Sequence, residues 1–443
     1  MCFALSVTLF ATDQVVTSNA DDGGGALTTL REAIAAVGTG ETITFNLSSG
    51  NETITISSEL SITESLTING SNEAGSGVDV TVQVTTPGTS TYRVFNINAS
   101  GKTITLSNMT IKGGDISGNV NVAAGRGGGI YIAAGTVTIE KSTISNSEAE
   151  NGGGIYNSGT LAIADVTISL NKATQDEMDS HTYGGGIYND NILTINNSTI
   201  SENTASSTGD NYNYAYGGGI YNAGDLTINN STITGNTAES IGLLEEEDEA
   251  SGGGIYNSGT AQINNTTISN NTSVGNTLSE GGGISQLDGT LSIQNSIIVN
   301  NSGGTDYEYY SGTLNDNGYN FVETTNVGAG SNGFTNGTNN AVVGVNPTGL
   351  SASLSYEGGF TQVLKVTAGN IATGNAGSTT ETTDQRGYYR TSSAITRGAY
   401  QYNGIVAKIG SGTSWTGDSD VFTTIDNAYN AASTYPFGHR HLC

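Results

Sequence analysis

From Thr136 to Val299 the chain places apolar residues two apart in many short runs, never in long ones. TVTIE from Thr136, LAIA from Leu161, LTIN from Leu193 and again from Leu226, AQIN from Ala261 and LSIQ from Leu291 share this form. That is the period of a β-strand with one buried face. A second run, S-T-I-S or a close variant, follows each of them, and a third, usually G-I-Y-N, precedes it. GGGI begins at Gly127, Gly152, Gly184, Gly217, Gly252 and Gly281, so the unit recurs at roughly 25 to 35 residues, the signature of a repeat architecture. Three short strands per repeat, without two-residue primed turns between them, predict a coil rather than hairpins. In such a coil each strand bonds to its equivalent one turn away, and roughly ten turns at about 4.8 Å each give a rod of about 50 Å. Ile155, Ile187, Ile220 and Ile255 are expected to stack in one buried column. Leu161, Leu193 and Leu226 form a second, and Ile163, Ile195, Ile228 and Ile263 a third. Each buried Ile contributes about 1.5–3 kcal/mol, so these columns carry the fold.

The flanks read differently. Leu27, Leu30, Ile34 and Val37 fall at helical spacing, Thr29 and Glu32 stand as a capping box, and Gly38 follows as a stop. One short helix is expected there, covering the open apolar end of the coil, with Arg31 and Glu32 as cap residues. No helical period appears between Glu41 and Asn300. Residues 1–14 resemble a signal-peptide remnant, 15–40 the N-terminal cap, 41–311 the coil, 312–402 a further β-rich segment. Residues 403–443 read as the start of a truncated further unit or as a tail, with TTIDNAYNAA from Thr423 echoing the N-terminal helix and His439 and His441 as tail residues. No run reaches the ~18 apolar residues of a membrane span.

Extra residues enter each repeat at one phase, just before GGGI: Lys172–Tyr183, Thr204–Tyr216, Thr237–Ser251 and Thr272–Glu280. Insertions at one phase predict loops on one side of the solenoid, often the binding side.

Composition narrows the functional classes. Asp and Glu outnumber Lys and Arg by 40 to 13, for a formal net charge of −27, which argues against a nucleic-acid partner. The two cysteines, Cys2 and Cys443, cannot build a disulfide framework or a Cys-based metal site. Gly is abundant, but it is periodic and interleaved with β-branched residues, unlike a disordered chain.

The GGGIY plus S-x-N repeat resembles the polymorphic outer-membrane protein repeat of bacterial secreted and surface proteins. TTLREAI at Thr28–Ile34 is similar to their Cys-Ser-Leu-Arg-Glu-Ala motif, with Thr28 where that motif has Cys. Leu350 to Tyr402 resembles the choice-of-anchor Q domain in Gly358-Gly359, Thr361 to Leu364, Asp384-Gln385-Arg386-Gly387 and Gly398-Ala399-Tyr400. It departs from that domain at Thr396-Arg397, where an Asp-Ile pair is common. The resemblance implies an all-β, right-handed parallel β-helix of pectate-lyase-like type, exported to the cell surface or beyond. The family is functionally mixed, so activity has to be sought in the residues.

Polysaccharide lyases and hydrolases share that fold. A lyase acting on uronic acids needs cations and a strong base, yet no Lys or Arg occurs between Lys172 and Lys365. A glycosidase needs two carboxylates over one bond, and Asp165 stands alone within the strand segments of the last five clean repeats. His181 is a single insertion residue, more often solvated than catalytic. Two clusters remain. Glu245, Glu246, Glu247, Asp248 and Glu249, with Asp176, Glu177 and Asp179 two repeats earlier, suit a Ca²⁺ ion, although the Gly-Asp nonapeptide of calcium-binding β-rolls is absent. Tyr212, Tyr214 and Tyr216, with Tyr307, Tyr309 and Tyr310, suit contact with sugar or protein; half-buried strand or corner positions are the structural alternative. Asn157, Asn189, Asn222 and Asn257, and Asn196, Asn229 and Asn264, recur in phase and predict stacked amide ladders rather than glycan acceptors. The expected function is a monomeric, cofactor-free surface stalk or adhesin-like module that binds glycan or protein through its insertions. The rivals are a carbohydrate-active enzyme and a purely structural spacer.

Overall fold

A computed structural model describes residues 13–21, 28–48, 52–72, 79–86, 91–117, 125–176, 180–209, 211–242, 247–327, 333–367, 383–388, 390 and 397–400, and the backbone of three short strands at 405–408, 421–422 and 441–442. The signal-like residues 1–12, Glu177, Asp179, Glu245, Glu246 and the expected second helix lie outside them.

The repeats coil into an all-β, right-handed parallel β-helix. The I-Y-N and L-T-I strands line one 19-stranded sheet, and the S-T-I strands an 11-stranded one. Ile130, Ile155, Ile187, Ile220, Ile255 and Ile284 pair rung to rung, and Tyr307 continues their column. Leu161, Leu193 and Leu226 align with Ala261 and Leu291, and Ile163, Ile195, Ile228, Ile263 and Ile293 align beside them. All are buried. The three predicted columns are therefore the core.

Polar columns run through the same rod. Asn157 donates its side-chain amide to Asn189 at 2.8 Å, Asn189 to Asn222 at 2.8 Å and Asn222 to Asn257 at 2.7 Å. On the outer surface Asn264 donates to Asn229 and Asn229 to Asn196, each at 3.0 Å. A third ladder, Asn171, Asn203, Asn236, Asn271 and Asn301, closes the corner after the S-T-I strand. Stacked amides suit a coil because every rung offers the next one a donor and an acceptor at the strand spacing.

Helix Leu30–Ala36 caps the N-terminal end, with Thr29 and Glu32 in the predicted capping box and Leu30 and Ala33 buried. Arg31 is tied to Asp21 at 3.0 Å and to the Glu59 carbonyl at 2.9 Å, as a cap residue should be. Among the described residues no helix is long and apolar enough to cross a membrane.

Two expectations change. The coil does not stop at residue 311: Thr313–Asp316, Phe321–Val322, Thr325–Val327 and Val342–Val343 continue its ladders without GGGI. Phe321 and Val322 keep the strand's burial, so the ladder propagates although the glycine signal has ended. Beyond it, the hairpin Leu350–Ser355 with Val363–Val366 and the described residues 383–388, 390 and 397–400 form a strap laid over the S-T-I sheet. The DQRG and GAY motifs meet there. The Arg386 guanidinium pairs with Asp384 at 2.6 Å and lies 3.6 Å from the Tyr400 ring centroid.

The second change concerns the insertions, which are strands and not loops. Each of the four begins with one strand and ends with another. Lys172–Gln175, Thr204–Ser207, Thr237–Ser240 and Thr272–Gly275 lead out, with the short Glu148–Ala149 ahead of them in a five-stranded sheet. His181–Tyr183, Tyr214–Tyr216, Glu249–Ser251 and Leu278–Glu280 lead back in a four-stranded one. Both sheets are parallel and in register. Ala173, Ala205 and Ala238 on one and Ala215 and Ala250 on the other are fully buried. Small inward residues let the two sheets pack closely, and the result is a lateral wing standing on the rod.

Candidate functional site

The wing meets the rod at GGGI. Gly217 takes φ +68° there, and a Cβ on Gly218 would lie 2.4 Å from the Thr237 carbonyl oxygen, so the corner admits no side chain. The returning wing strand and the I-Y-N strand diverge from this corner, and their outward faces form a crease lined with aromatic rings. On the rod wall the ring centroids of Tyr156 and Tyr188 are 4.4 Å apart, those of Tyr188 and Tyr221 5.0 Å, and those of Tyr221 and Tyr256 5.4 Å. On the wing wall Tyr183 and Tyr216 are 5.9 Å apart. The walls touch through Tyr183 and Tyr221 at 4.8 Å and Tyr216 and Tyr256 at 4.6 Å. Further out on the wing His181 stacks on Tyr214 at 4.8 Å. Packed rings of this kind add about 0.5–1.5 kcal/mol per pair beyond their area, so the crease also braces the wing.

Its two ends differ in charge. At the N-terminal end Arg93 lies 4.9 Å over Tyr131, and Arg126 lies 4.8 Å over Tyr156. At the other end the tyrosines give way to Glu249, Glu280 and Glu308. Burial, then the charges of Glu249 and Glu308, push the Glu280 carboxyl up to about 7. Burial also raises Glu249, partly offset by a hydrogen bond from Tyr216. Burial raises the phenols of Tyr188, Tyr216 and Tyr256, and pushes Tyr183 up to about 12, so these hydroxyls stay neutral donors and acceptors. A row of neutral hydroxyls and ring edges, with carboxylates at one end, is suited to hydrogen-bonding a polyhydroxylated ligand.

The residues singled out from sequence fare unequally. Tyr214 and Tyr216 stand in the crease and Tyr212 is exposed at the wing tip. Tyr307 is not a surface residue: it occupies the Ile column, fully buried, because it falls at the inward position of its strand. Tyr309 bonds the Gly312 carbonyl at 3.0 Å, and Tyr310 is exposed. Of the acidic run, Asp248 is buried. It accepts from the Asn213 amide at 2.9 Å, the Gly242 N–H at 2.7 Å and the Asn276 amide at 3.0 Å, so its lone pairs serve the wing tip. Glu247 is exposed at φ +45°, and Glu249 faces the crease. Among the described residues no three His, Cys, Asp or Glu side chains converge closely enough to hold a metal ion. Asp165 sits at φ +57° in the column of left-handed corner residues with Asn197, Asn230 and Asn265, which explains its place in the repeat.

Sequence reasoning passed over Tyr183, Tyr188, Tyr221, Tyr256, Glu280 and Glu308, and set His181 aside as a solvated insertion residue. The signal was present: the Tyr of GGGIYN alternates with the buried Ile and must therefore point outward. A separate cleft of about 310 Å³ beside the N-terminal helix is lined by Arg31, Ile34, Glu59 and Leu66 and belongs to the cap.

No family model matches this chain, and no curated protein sequence matches it. Among solved structures it is similar to a pectate lyase, Pel9A, at 13% identity and a TM-score of 0.41, over 89% of this chain and 97% of that one.

Proposed function

We propose that this chain is an exported surface β-helix that binds glycan on its lateral wing, along the crease. The observation that carries the reading is the aromatic array at the wing's root, where rings from two walls meet and phenol hydroxyls repeat once per rung. An extended sugar chain lying parallel to the rod would meet equivalent groups at each step of about 4.8 Å. Sugar and tyrosine pair well because one side of each is apolar and the rim is hydroxylated. The acidic crease end and the net charge of −27 favour neutral or amine-bearing polysaccharides over polyuronates. A glycan array probed with the purified protein tests the reading. Binding that is reduced by Tyr214→Ala and His181→Ala supports it, and a uniformly blank array rejects it.

A second reading, cleavage of a glycosidic bond, is favoured by one feature, the raised Glu280 carboxyl close to a second carboxylate, Glu249. Turnover of a polysaccharide panel, lost in Glu280→Gln, is the result it requires.

A further inference from the structure

The three carboxylates at the crease end come from three strands. Glu249 opens the wing strand Glu249–Ser251, Glu280 closes the wing strand Leu278–Glu280, and Glu308 is the middle of the rod strand Tyr307–Tyr309. Register brings them together. Ser251 pairs with Glu280 on the wing, Ser285 pairs with Glu308 on the rod, and the Ser251 hydroxyl donates to the Ser285 hydroxyl at 2.8 Å. Glu280 and Glu308 therefore stand one rung beyond a pair of residues already in contact, on facing walls of the crease.

The groups that face Glu280 are Glu249 and, behind it, Tyr216 from the wing, and Tyr256 and Glu308 from the rod. Glu308 in turn is held by the Thr305 hydroxyl at 2.8 Å and by the Asn326 amide, with Tyr307 and Tyr309 beside it. None of these is a cation. No Lys or Arg exists between Lys172 and Lys365, and among the described residues no ion pair involves the three glutamates. The Glu280 Oε2 atom is buried without a hydrogen-bond partner among the described residues. Leu278–Glu280 is moreover the end strand of its sheet and only three residues long, so it opens more readily than the rod.

We propose that Glu249, Glu280 and Glu308 form a pH-sensitive latch that holds the last rung of the wing against the rod in acid and loosens it in base. With Glu280 protonated, the cluster carries one negative charge fewer and the buried oxygen is neutral. With all three ionised, like charges face each other across the crease without a counter-ion, and the short edge strand is the element that yields. The sign follows from Glu280. Its folded-state value, about 7, lies above that of an ordinary carboxyl. The stabilisation is thus complete below the ordinary carboxylate range and is lost as pH rises from there through about 7. The inference concerns the wing's own packing and does not rest on glycan binding.

Amide hydrogen exchange on the full chain, converted to protection factors so that intrinsic rates cancel, tests it. The amides of Glu249–Ser251 and Leu278–Glu280 should lose protection by roughly tenfold between about pH 5.5 and about pH 8.5, whereas those of Ile195 and Ile228 in the rod should not. Glu280→Gln should flatten the wing's response, and Glu249→Gln should move its midpoint to lower pH. A wild-type wing with no pH response overturns the latch, as does a Glu280→Gln wing that responds like wild type. If Glu280→Gln also unprotects the rod, Glu249→Gln decides: an unmoved midpoint overturns the latch.

Discussion

The Thr232 hydroxyl donates to the side-chain oxygen of Gln385 at 2.6 Å, although 153 residues separate them in the chain. The other end of the same Gln385 amide donates to the Ser198 carbonyl at 3.1 Å and the Thr361 hydroxyl at 2.8 Å. One buried side chain thus joins two rungs of the S-T-I sheet to the C-terminal strap.

Gln385→Ala leaves the buried Thr232 hydroxyl without its partner, whereas the Ser198 carbonyl still accepts from the Thr232 N–H and the Thr361 hydroxyl still donates to the Asn197 carbonyl. A loss of about 1–3 kcal/mol is expected, together with release of the strap, because an orphaned buried group costs about that much. Thermal unfolding followed by limited proteolysis of residues 357–400 checks it; unchanged proteolysis contradicts the clamp.

The interior and surface amide ladders should respond differently. Asn236 accepts from both the backbone N–H and the side-chain amide of Asn203, at 3.0 and 2.9 Å, inside the coil. Asn236→Ala orphans the Asn203 N–H and one of the two hydrogens of its side-chain amide, which keeps the Ile168 carbonyl. It should cost about 2–4 kcal/mol, whereas Asn229→Ala on the half-exposed outer ladder should cost under about 1 kcal/mol. Because a repeat array need not unfold in two states, segment-resolved hydrogen exchange is the measurement.

At the wing root both glycines of one corner exclude a side chain, Gly217 for two reasons and Gly218 for one. Gly217→Ala forces a side chain into a left-handed backbone, which alone costs about 1–2 kcal/mol, and also drives its Cβ to 2.4 Å from the Ile220 carbonyl oxygen. Gly218→Ala meets only the steric obstacle, a Cβ 2.3 Å from the Thr237 backbone, and should cost less than Gly217→Ala. Comparing melting temperatures of the two variants tests the order.

Tyr214→Ala and His181→Ala remove rings on the outer part of the wing wall and should weaken glycan binding with little change in melting temperature. Tyr216→Ala should reduce both, because its ring also packs on Tyr256 at 4.6 Å. Removing Thr204–Tyr216 alone should destabilise the neighbouring rungs, as it deletes an interior strand from each wing sheet and uncovers Ala238 and Ala250. Equal melting curves for that deletion and wild type would contradict the wing as a packed body.

How much of this was legible from the residues follows from the range of the interactions involved. The coil, its Ile and Leu columns, the helix cap and the stacked Asn157 and Asn229 ladders could be read directly, because a repeat prints the same residue wherever the same environment recurs. Alternation by two then assigns its face. The wing was less visible. Lys-Ala-Thr-Gln, Thr-Ala-Ser-Ser and Thr-Ala-Glu-Ser are poor strand formers singly, and become strands only when stacked in register beside a second sheet. The burial of Tyr307 depended on a strand continuing after GGGI had ceased. The crease, the meeting of Glu249, Glu280 and Glu308, and the bond from Thr232 to Gln385 were decided only by tertiary structure. Their partners lie on different walls or rungs and leave no periodic trace in the chain. Sequence alone determined which residues share a column; which columns face one another was set by how the coil, wing and strap pack.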